Sequence, residues 1–180
     1  PTDDEGRVTL KLERLTAANN IDHGHAHEAL SDVRATIALA RLIREKQPKL
    51  YEWLFQLRSK QKVMDQIRLL QPLVHVSGRF SAARSYVGVV LPLAWHPKNR
   101  NALIVCDLHL DPQGLLDLDA QALRQRLYTR RDELAEGELP VPLKLIHINR
   151  CPVVAPLAVL REQDQQRLGL DMALYHERAV

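Results

Sequence analysis

One short segment of the sequence carries side chains that could hydrolyse a phosphodiester. It runs His27-Glu28-Ala29-Leu30-Ser31-Asp32, with the histidine and the aspartate five residues apart. On a helix, at about 100° per residue, this spacing would put the two side chains on different faces. His27 is therefore predicted in a loop and Asp32 in the first turns of a helix. Asp32 could then bind a hard cation such as Mg²⁺ or Mn²⁺, while His27 takes a proton from water.

The histidines of this segment allow a second chemistry. His23, His25 and His27 alternate along the chain and could together bind a softer metal such as Zn²⁺. Gly24 and Ala26 between them are typical of a loop, and no cysteine stands nearby. Solvated loop histidines are the commoner outcome for His23 and His25, so zinc is the lesser alternative.

The composition favours a globular protein with a mildly basic surface. Of the 180 residues, 46% are hydrophobic and 26% are charged, and the formal net charge is +3. This balance allows a packed core and permits nucleic-acid binding without requiring it. No apolar run approaches the roughly 18 residues of a membrane span, and no signal peptide is recognisable, so a cytoplasmic location is predicted. Cys106 and Cys151 are predicted to be buried, reduced thiols, although a disulfide stays open.

Two helices are predicted after the histidine segment. Apolar residues recur at helical spacing over residues 30–43, and Pro48 ends that helix. A second stripe over residues 50–67 predicts another helix, which Pro72 ends. The first of these helices would carry Asp32 and hold it next to the histidine loop.

The pattern beyond Pro72 changes to short β-like runs, which together with the helices predict an α+β fold. A helix is also predicted from Asp119 to Glu136, with Asp117 or Asp119 as its N-cap. Short strands with tight turns are typical of a small barrel or a curled sheet. The predicted strands cover residues 73–76, 86–94, 102–108, 143–148 and 153–160, and the second and third form a hairpin.

The sequence resembles that of the bacterial exonuclease I family, a branch of the DEDD-type 3′→5′ exonucleases. The pattern His27-x-Ala29-x-x-Asp32, followed by Ala35-Thr36, is similar to the last motif of the histidine-containing subclass. Further segments resemble the family in the same order along nearly the whole chain, and they are more specific than the motif itself. These segments are 15–19, 72–78, 92–97, 126–129 and 141–149.

The resemblance implies an enzyme of DNA repair and recombination. It would degrade single-stranded DNA from the 3′ end to nucleoside 5′-monophosphates with Mg²⁺, or Mn²⁺ as an alternative. His27 would be the general base and Asp32 a metal ligand. Residues 1–47 would be the helical tail of a ribonuclease H-like α/β nuclease domain, and residues 48–180 an SH3-like small β-barrel domain with added helices. The other three carboxylates of the family site are missing, so the chain alone is predicted to be an inactive fragment.

The resemblance also implies two binding surfaces. Trp53 would line an apolar pocket, and Arg161 would hold the carboxylate, for the acidic C-terminal tail of single-stranded DNA-binding protein. Single-stranded DNA would contact the SH3-like part, where arginines meet phosphates and aromatic rings stack on bases. The candidates for DNA contact are Arg79, Arg84, Tyr86, Trp95, His96 and Arg100.

Plainer roles compete with each of these assignments. Trp53 and Trp95 could be core residues, and Arg161 could be an ordinary surface arginine. For the chain as a whole, one alternative is a binding module without chemistry, for single-stranded DNA or for the acidic tail. Another is a truncated piece whose N-terminal helices expose an apolar stripe and self-associate.

Overall fold

The protein is described from a computed structural model, which covers residues 1–22, 28–129, 133–134, 138 and 140–180. Helices before and after a central sheet give the α+β class predicted from the sequence. The helices are α1 (Leu12–Ala18), α2 (Ala29–Lys46), α3 (Pro48–Gln56), α4 (Lys60–Asp65), α5 (Gln113–Leu116), α6 (Ala120–Tyr128), α7 (Glu162–Leu168) and α8 (Met172–Glu177). The strands are β1 (Leu73–Val76), β2 (Val87–Trp95), β3 (Ala102–Asp107), β4 (Leu143–His147) and β5 (Val153–Pro156).

The N-terminal helices follow the predicted pattern with one difference. Helix α2 begins at Ala29, shortly after His27 as predicted, and Pro48 starts α3, where its missing N–H costs nothing. The prediction of a single helix over residues 50–67 is wrong, because the chain turns between α3 and α4. Leu57 precedes this turn and Val63 follows it, and both side chains are buried in the same core. The turn therefore lets two short helices face one sheet.

The sheet is antiparallel, with the strand order β4-β3-β2-β1-β5. The predicted hairpin is confirmed as β2 and β3. Pro92 pairs with Val105 and Ala94 with Ile104, which leaves Leu93 as the extra residue of a bulge. Proline lacks a ladder N–H, and a bulge is one of the few places where a strand accepts it.

Two predicted elements are shorter in the structure. Helix α6 has the predicted N-cap, since Asp119 Oδ1 accepts a hydrogen bond of 2.8 Å from the backbone N–H of Ala122. It ends at Tyr128 rather than at residue 136, and Thr129 is extended. The last strand stops at Pro156 and continues as a 3₁₀ turn over Leu157–Val159, because the sheet offers pairing partners only as far as Leu73.

Apolar side chains cover both faces of the sheet. Successive residues of a strand point to opposite faces, so Val90 faces the core under α3 and α4, while Val89 and Leu91 face the core closed by α8. Cys106 is buried in the second core, and burial raises its pKa to about 11. The prediction that both cysteines are buried is wrong for Cys151, which is exposed in a turn with no other cysteine bonded to it. None of the described helices is long and apolar enough to cross a membrane.

Candidate nucleic-acid interface

A cavity of about 860 Å³ opens beside β4, between the end of β1, the turn over residues 148–152 and the end of α6. The described residues that line it include no aspartate or glutamate. Its basic side chains are instead those of Arg79, Lys144, Arg150, His75, His96 and His147. Cations in a concave surface focus positive potential there, which attracts anions.

A second cavity of about 530 Å³ adjoins the first. The two share Arg79, Leu127, Leu143 and Lys144 as a common wall, and the joined space is called the cleft below. Among its described lining residues Asp107 is the one carboxylate, and it is paired with an arginine. The cleft is therefore a continuous basic groove across the SH3-like part of the chain.

A buried histidine holds the lysine at the common wall. His75 Nδ1 lies 2.8 Å from the carbonyl oxygen of Val153, and His75 Nε2 lies 2.9 Å from Lys144 Nζ. With Nδ1–H donating to the carbonyl, Nε2 is left to accept from the ammonium. Burial, together with the charge of Lys144, lowers the pKa of His75 to about 4. The imidazole is therefore neutral at neutral pH and accepts a hydrogen bond from Lys144.

Because of His75, the stability of the folded chain is expected to depend on pH. Its pKa is lowered from 6.5 to about 4 in the folded chain, so the unfolded chain takes up the proton first as pH falls. The contribution of neutral His75 to the free energy of unfolding is complete above pH 6.5. It is lost as the pH falls toward 4, and the loss amounts to up to about 3 kcal/mol. Urea unfolding across this range should show the loss in the parent chain. The curve of His75→Gln should be flatter.

His176→Gln is the matched control for this measurement, because His176 is exposed on α8. It should keep the pH dependence of the parent chain. An equal pH dependence in His75→Gln and in the parent chain would contradict the assignment of this effect to His75.

Three of the six residues predicted to contact DNA lie at the cleft. Arg79 and His96 line the first cavity, and His96 Nδ1 accepts hydrogen bonds from the backbone of its turn. Arg84 lines the second cavity, but its terminal nitrogens donate to Asp107 at 2.7 and 2.9 Å. Asp107 therefore neutralises the charge of Arg84, which gives this arginine a structural role besides the DNA contact predicted for it.

The other three predicted contacts lie outside the cleft. Tyr86 Oη is 3.5 Å from the carbonyl oxygen of Val8, so it touches the N-terminal segment. Trp95 is 37% exposed at the end of β2, which argues against a core role. Arg100 is exposed in the turn that joins β2 and β3. DNA contact by these residues stays a prediction.

The sequence reasoning missed several residues of the cleft, among them His75, Lys144, Arg150 and Tyr128. Lys144 is flanked by leucines on β4, and a charged residue inside an apolar strand is the signal that could have marked it. Arg150 follows that strand in an exposed turn. Tyr128 is 80% exposed at the end of α6, within segment 126–129 that resembles the exonuclease I family, and that resemblance is the signal that could have marked it.

The two residues predicted to bind an acidic tail have different surroundings. Trp53 is partly buried, and its Nε1 donates a hydrogen bond of 3.0 Å to the carbonyl oxygen of Val154 on β5. Arg161 is exposed beyond the end of β5, where its Nε lies 2.9 Å from Asp164 Oδ2. Their joint role in tail binding stays a prediction.

Of the two residues predicted for hydrolysis, the structure describes Asp32. His27 lies outside the described residues, as do His23 and His25 of the zinc alternative. Asp32 lies in the first turn of α2, where a carboxylate suits the helix dipole. Within the described ranges, no group of three or more His, Cys, Asp or Glu residues could hold a metal ion. These residues alone therefore do not fit a complete divalent-metal site.

Comparison with known sequences places the chain in a family. The pattern that defines the exonuclease I SH3-like domain matches residues 58–180. The chain belongs to this exonuclease I family. Exodeoxyribonuclease I of Escherichia coli is 49% identical over 173 residues, which are 95% of this chain and 36% of that protein. The resemblance to exonuclease I seen in the sequence is thus confirmed.

Solved exonuclease I structures share the fold closely. E. coli exonuclease I in complex with a dA16 oligonucleotide has a TM-score of 0.95 and 47% identity, covering 99% of this chain and 38% of that one. The zinc-bound form of the E. coli exonuclease I complex with single-stranded DNA has a TM-score of 0.91 and 48% identity, covering 94% and 37%. The chain spans 36–40% of the length of the curated exonuclease I relatives that it matches.

Proposed function

We propose that this chain is part of a cytoplasmic 3′→5′ exodeoxyribonuclease that degrades single-stranded DNA to nucleoside 5′-monophosphates in DNA repair and recombination. The observation that carries the proposal is a basic cleft in a domain of the exonuclease I family, where the described lining residues include one carboxylate, paired with an arginine. Relatives at 49% and 50% identity are exodeoxyribonuclease I, and related structures hold oligonucleotides. Such a cleft suits a polyanion bound without regard to sequence.

His27 and Asp32 would be this chain's share of the hydrolytic site. His27 would take a proton from the attacking water. Asp32 would be one ligand of a divalent cation, Mg²⁺ or Mn²⁺, and a zinc-bound form of E. coli exonuclease I supports a metal in this family. The remaining carboxylates would come from the rest of the enzyme's length, since the described part of this chain supplies no cluster of ligands.

Residues 1–47 would be the last segment of the nuclease domain, and residues 48–180 the SH3-like domain. Helix α2 supports this division, because its apolar residues Leu30, Val33 and Ile37 are exposed. A stripe of this kind is covered in most folded proteins, and the remainder of a nuclease domain would cover it here. Helix α3, by contrast, contacts β5 through the hydrogen bond that Trp53 Nε1 donates to the carbonyl oxygen of Val154.

The chain itself is expected to bind a labelled oligodeoxythymidylate without degrading it. Each phosphate contact on a single strand contributes about −0.7 to the slope of log affinity against log salt. Contacts from Arg79, Lys144 and Arg150 therefore predict a slope of about −2. Fluorescence anisotropy titrations from about 50 to about 200 mM salt measure this slope.

Two results would contradict the proposal. One is the absence of oligonucleotide binding at low salt. The other is release of mononucleotides by the purified chain that continues unchanged after Asp32→Asn, because that activity would not use the proposed residue.

The acidic tail of single-stranded DNA-binding protein is a second proposed ligand. A fixed, partly exposed indole at Trp53 and the exposed guanidinium of Arg161 are its support. A synthetic acidic peptide with an apolar end should bind the parent chain and lose affinity in Arg161→Gln. Unchanged peptide affinity in this variant would refute this assignment and leave the DNA proposal untouched.

A further inference from the structure

Two cations stand together where the two cavities meet. Arg79 and Lys144 line both cavities, and burial, together with the charge of Arg79, lowers the pKa of Lys144. Over the described part of the chain, neither side chain forms an ion pair within 4.0 Å. Asp107, which is already paired with Arg84, offsets only part of this charge. The two neighbouring cations still repel each other, and an anion placed between them would relieve that repulsion.

The ammonium of Lys144 is held in a fixed direction. His75 Nε2 accepts one of its hydrogen bonds, and the ring of Phe80 lies 5.5 Å from Nζ. The Phe80 ring in turn meets the His75 ring edge-on at 5.7 Å. A Cβ on Gly88 would lie only 2.7 Å from this phenylalanine, so the ring is closely packed. With one of three N–H groups used, two donors remain for a ligand.

We propose that Arg79 and Lys144 form a seat for one backbone phosphate of single-stranded DNA, with His75 as the residue that positions Lys144. This inference rests on the proposed function. A guanidinium can bind phosphate through two parallel hydrogen bonds, and an ammonium adds a point charge beside it. Tyr128, exposed in the same cavity, would stack on an adjoining base. Such a seat recognises the DNA backbone and not the base sequence.

Removal of either cation is the first test. Lys144→Met and Arg79→Gln are each expected to weaken oligodeoxythymidylate binding by about tenfold or more, since hydrogen bonds to charged groups are worth about 1.5–3 kcal/mol. Each should also make the salt slope shallower by about 0.7. Lys49→Met and Arg41→Gln are matched controls, because both residues are exposed outside the cleft, and they should behave like the parent chain.

The positioning role of His75 needs a double-mutant cycle. His75→Leu should weaken binding in the parent chain but add little in the Lys144→Met background, because there is no ammonium left to position. Thermal unfolding of each variant at pH 7 establishes that the protein tested is folded. An equal loss in both backgrounds would overturn the positioning role.

The outcomes separate this seat from the proposed function. Binding by the parent chain with equal affinity and slope in Lys144→Met and Lys49→Met overturns the seat alone. A loss of affinity in Lys144→Met with an unchanged salt slope also overturns it, since a phosphate contact must release counterions. A parent chain that binds no oligonucleotide refutes DNA binding altogether. A loss of both affinity and slope in Lys144→Met and Arg79→Gln supports the seat.

Discussion

Replacement of Arg84 by methionine is expected to lower the free energy of unfolding by about 3–5 kcal/mol. Arg84 Nη1 and Nη2 donate to the two carboxylate oxygens of Asp107 at 2.7 and 2.9 Å. The side chains are 14% and 9% exposed, so the variant would leave a buried carboxylate without its cation. The midpoint of thermal unfolding should fall by roughly 6–20 °C for a chain of this size.

The Arg84–Asp107 pair has this weight because it joins three parts of the domain. Arg84 ends the 3₁₀ turn at Ala82–Arg84 and lies over the Phe80 ring, 4.7 Å from its centre. Asp107 ends β3 and also accepts from the backbone N–H of His109. Arg178, beyond α8, donates to the carbonyl oxygen of His109. Loss of Arg84 would therefore also loosen the attachment of the C-terminal helix α8 to the sheet.

Two further variants control the Arg84 measurement. Arg7→Met removes an exposed pair with Asp3, and surface pairs contribute only about 0–1 kcal/mol. Arg84→Met combined with Asp107→Leu should recover much of the loss, because no charge is then left buried. A cost for Arg84→Met no larger than that for Arg7→Met would show that the pair does not stabilise the fold. DNA binding that falls without any loss of stability would favour the DNA contact predicted for Arg84.

The second large effect concerns hydrolysis by a longer protein that joins this chain to the rest of an exonuclease. There, His27→Ala is expected to reduce the release of nucleotides from single-stranded DNA by about 10²–10⁴-fold, as loss of a general base does. Asp32→Asn should abolish cleavage at least as completely while leaving DNA binding largely intact. Single-turnover cleavage and anisotropy titrations on the same preparations separate the two effects.

Glu28→Gln is the matched control for these variants. Glu28 is the N-cap of α2, four residues before Asp32, and the exonuclease motif leaves its position free. Its substitution should leave cleavage near the level of the parent enzyme. Near-normal turnover by Asp32→Asn would refute the assignment of this carboxylate to the hydrolytic site.

Local patterns in the sequence predicted much of the fold. Helical spacing predicts α2, Pro48 marks the boundary with α3, and Asp119 is one of the two N-caps that the sequence predicts for α6. The turn between α3 and α4 was missed, because it depends on Leu57 and Val63 packing on the same sheet. Periodicity within a helix does not report where a distant sheet will lie.

The cleft was harder to predict because it is assembled from distant parts of the chain. His75 on β1 and Lys144 on β4 are 69 residues apart, and β2 and β3 lie between these two strands in the sheet, yet Lys144 Nζ lies 2.9 Å from His75 Nε2. The resemblance to the family and the residue type together place Arg79 and Arg84 alike among the predicted DNA contacts. Only the structure shows that Asp107 neutralises Arg84 while Arg79 keeps its charge in the groove.

The central claim is that single-stranded DNA lies in the cleft, and hydrogen–deuterium exchange with and without an oligodeoxythymidylate tests it most directly. The proposed function predicts that bound DNA slows exchange in β4, in the turn over residues 148–152 and at the end of α6. Exchange in α3 should stay unchanged. Protection confined to α3, with none along β4 and its turn, would contradict the claim.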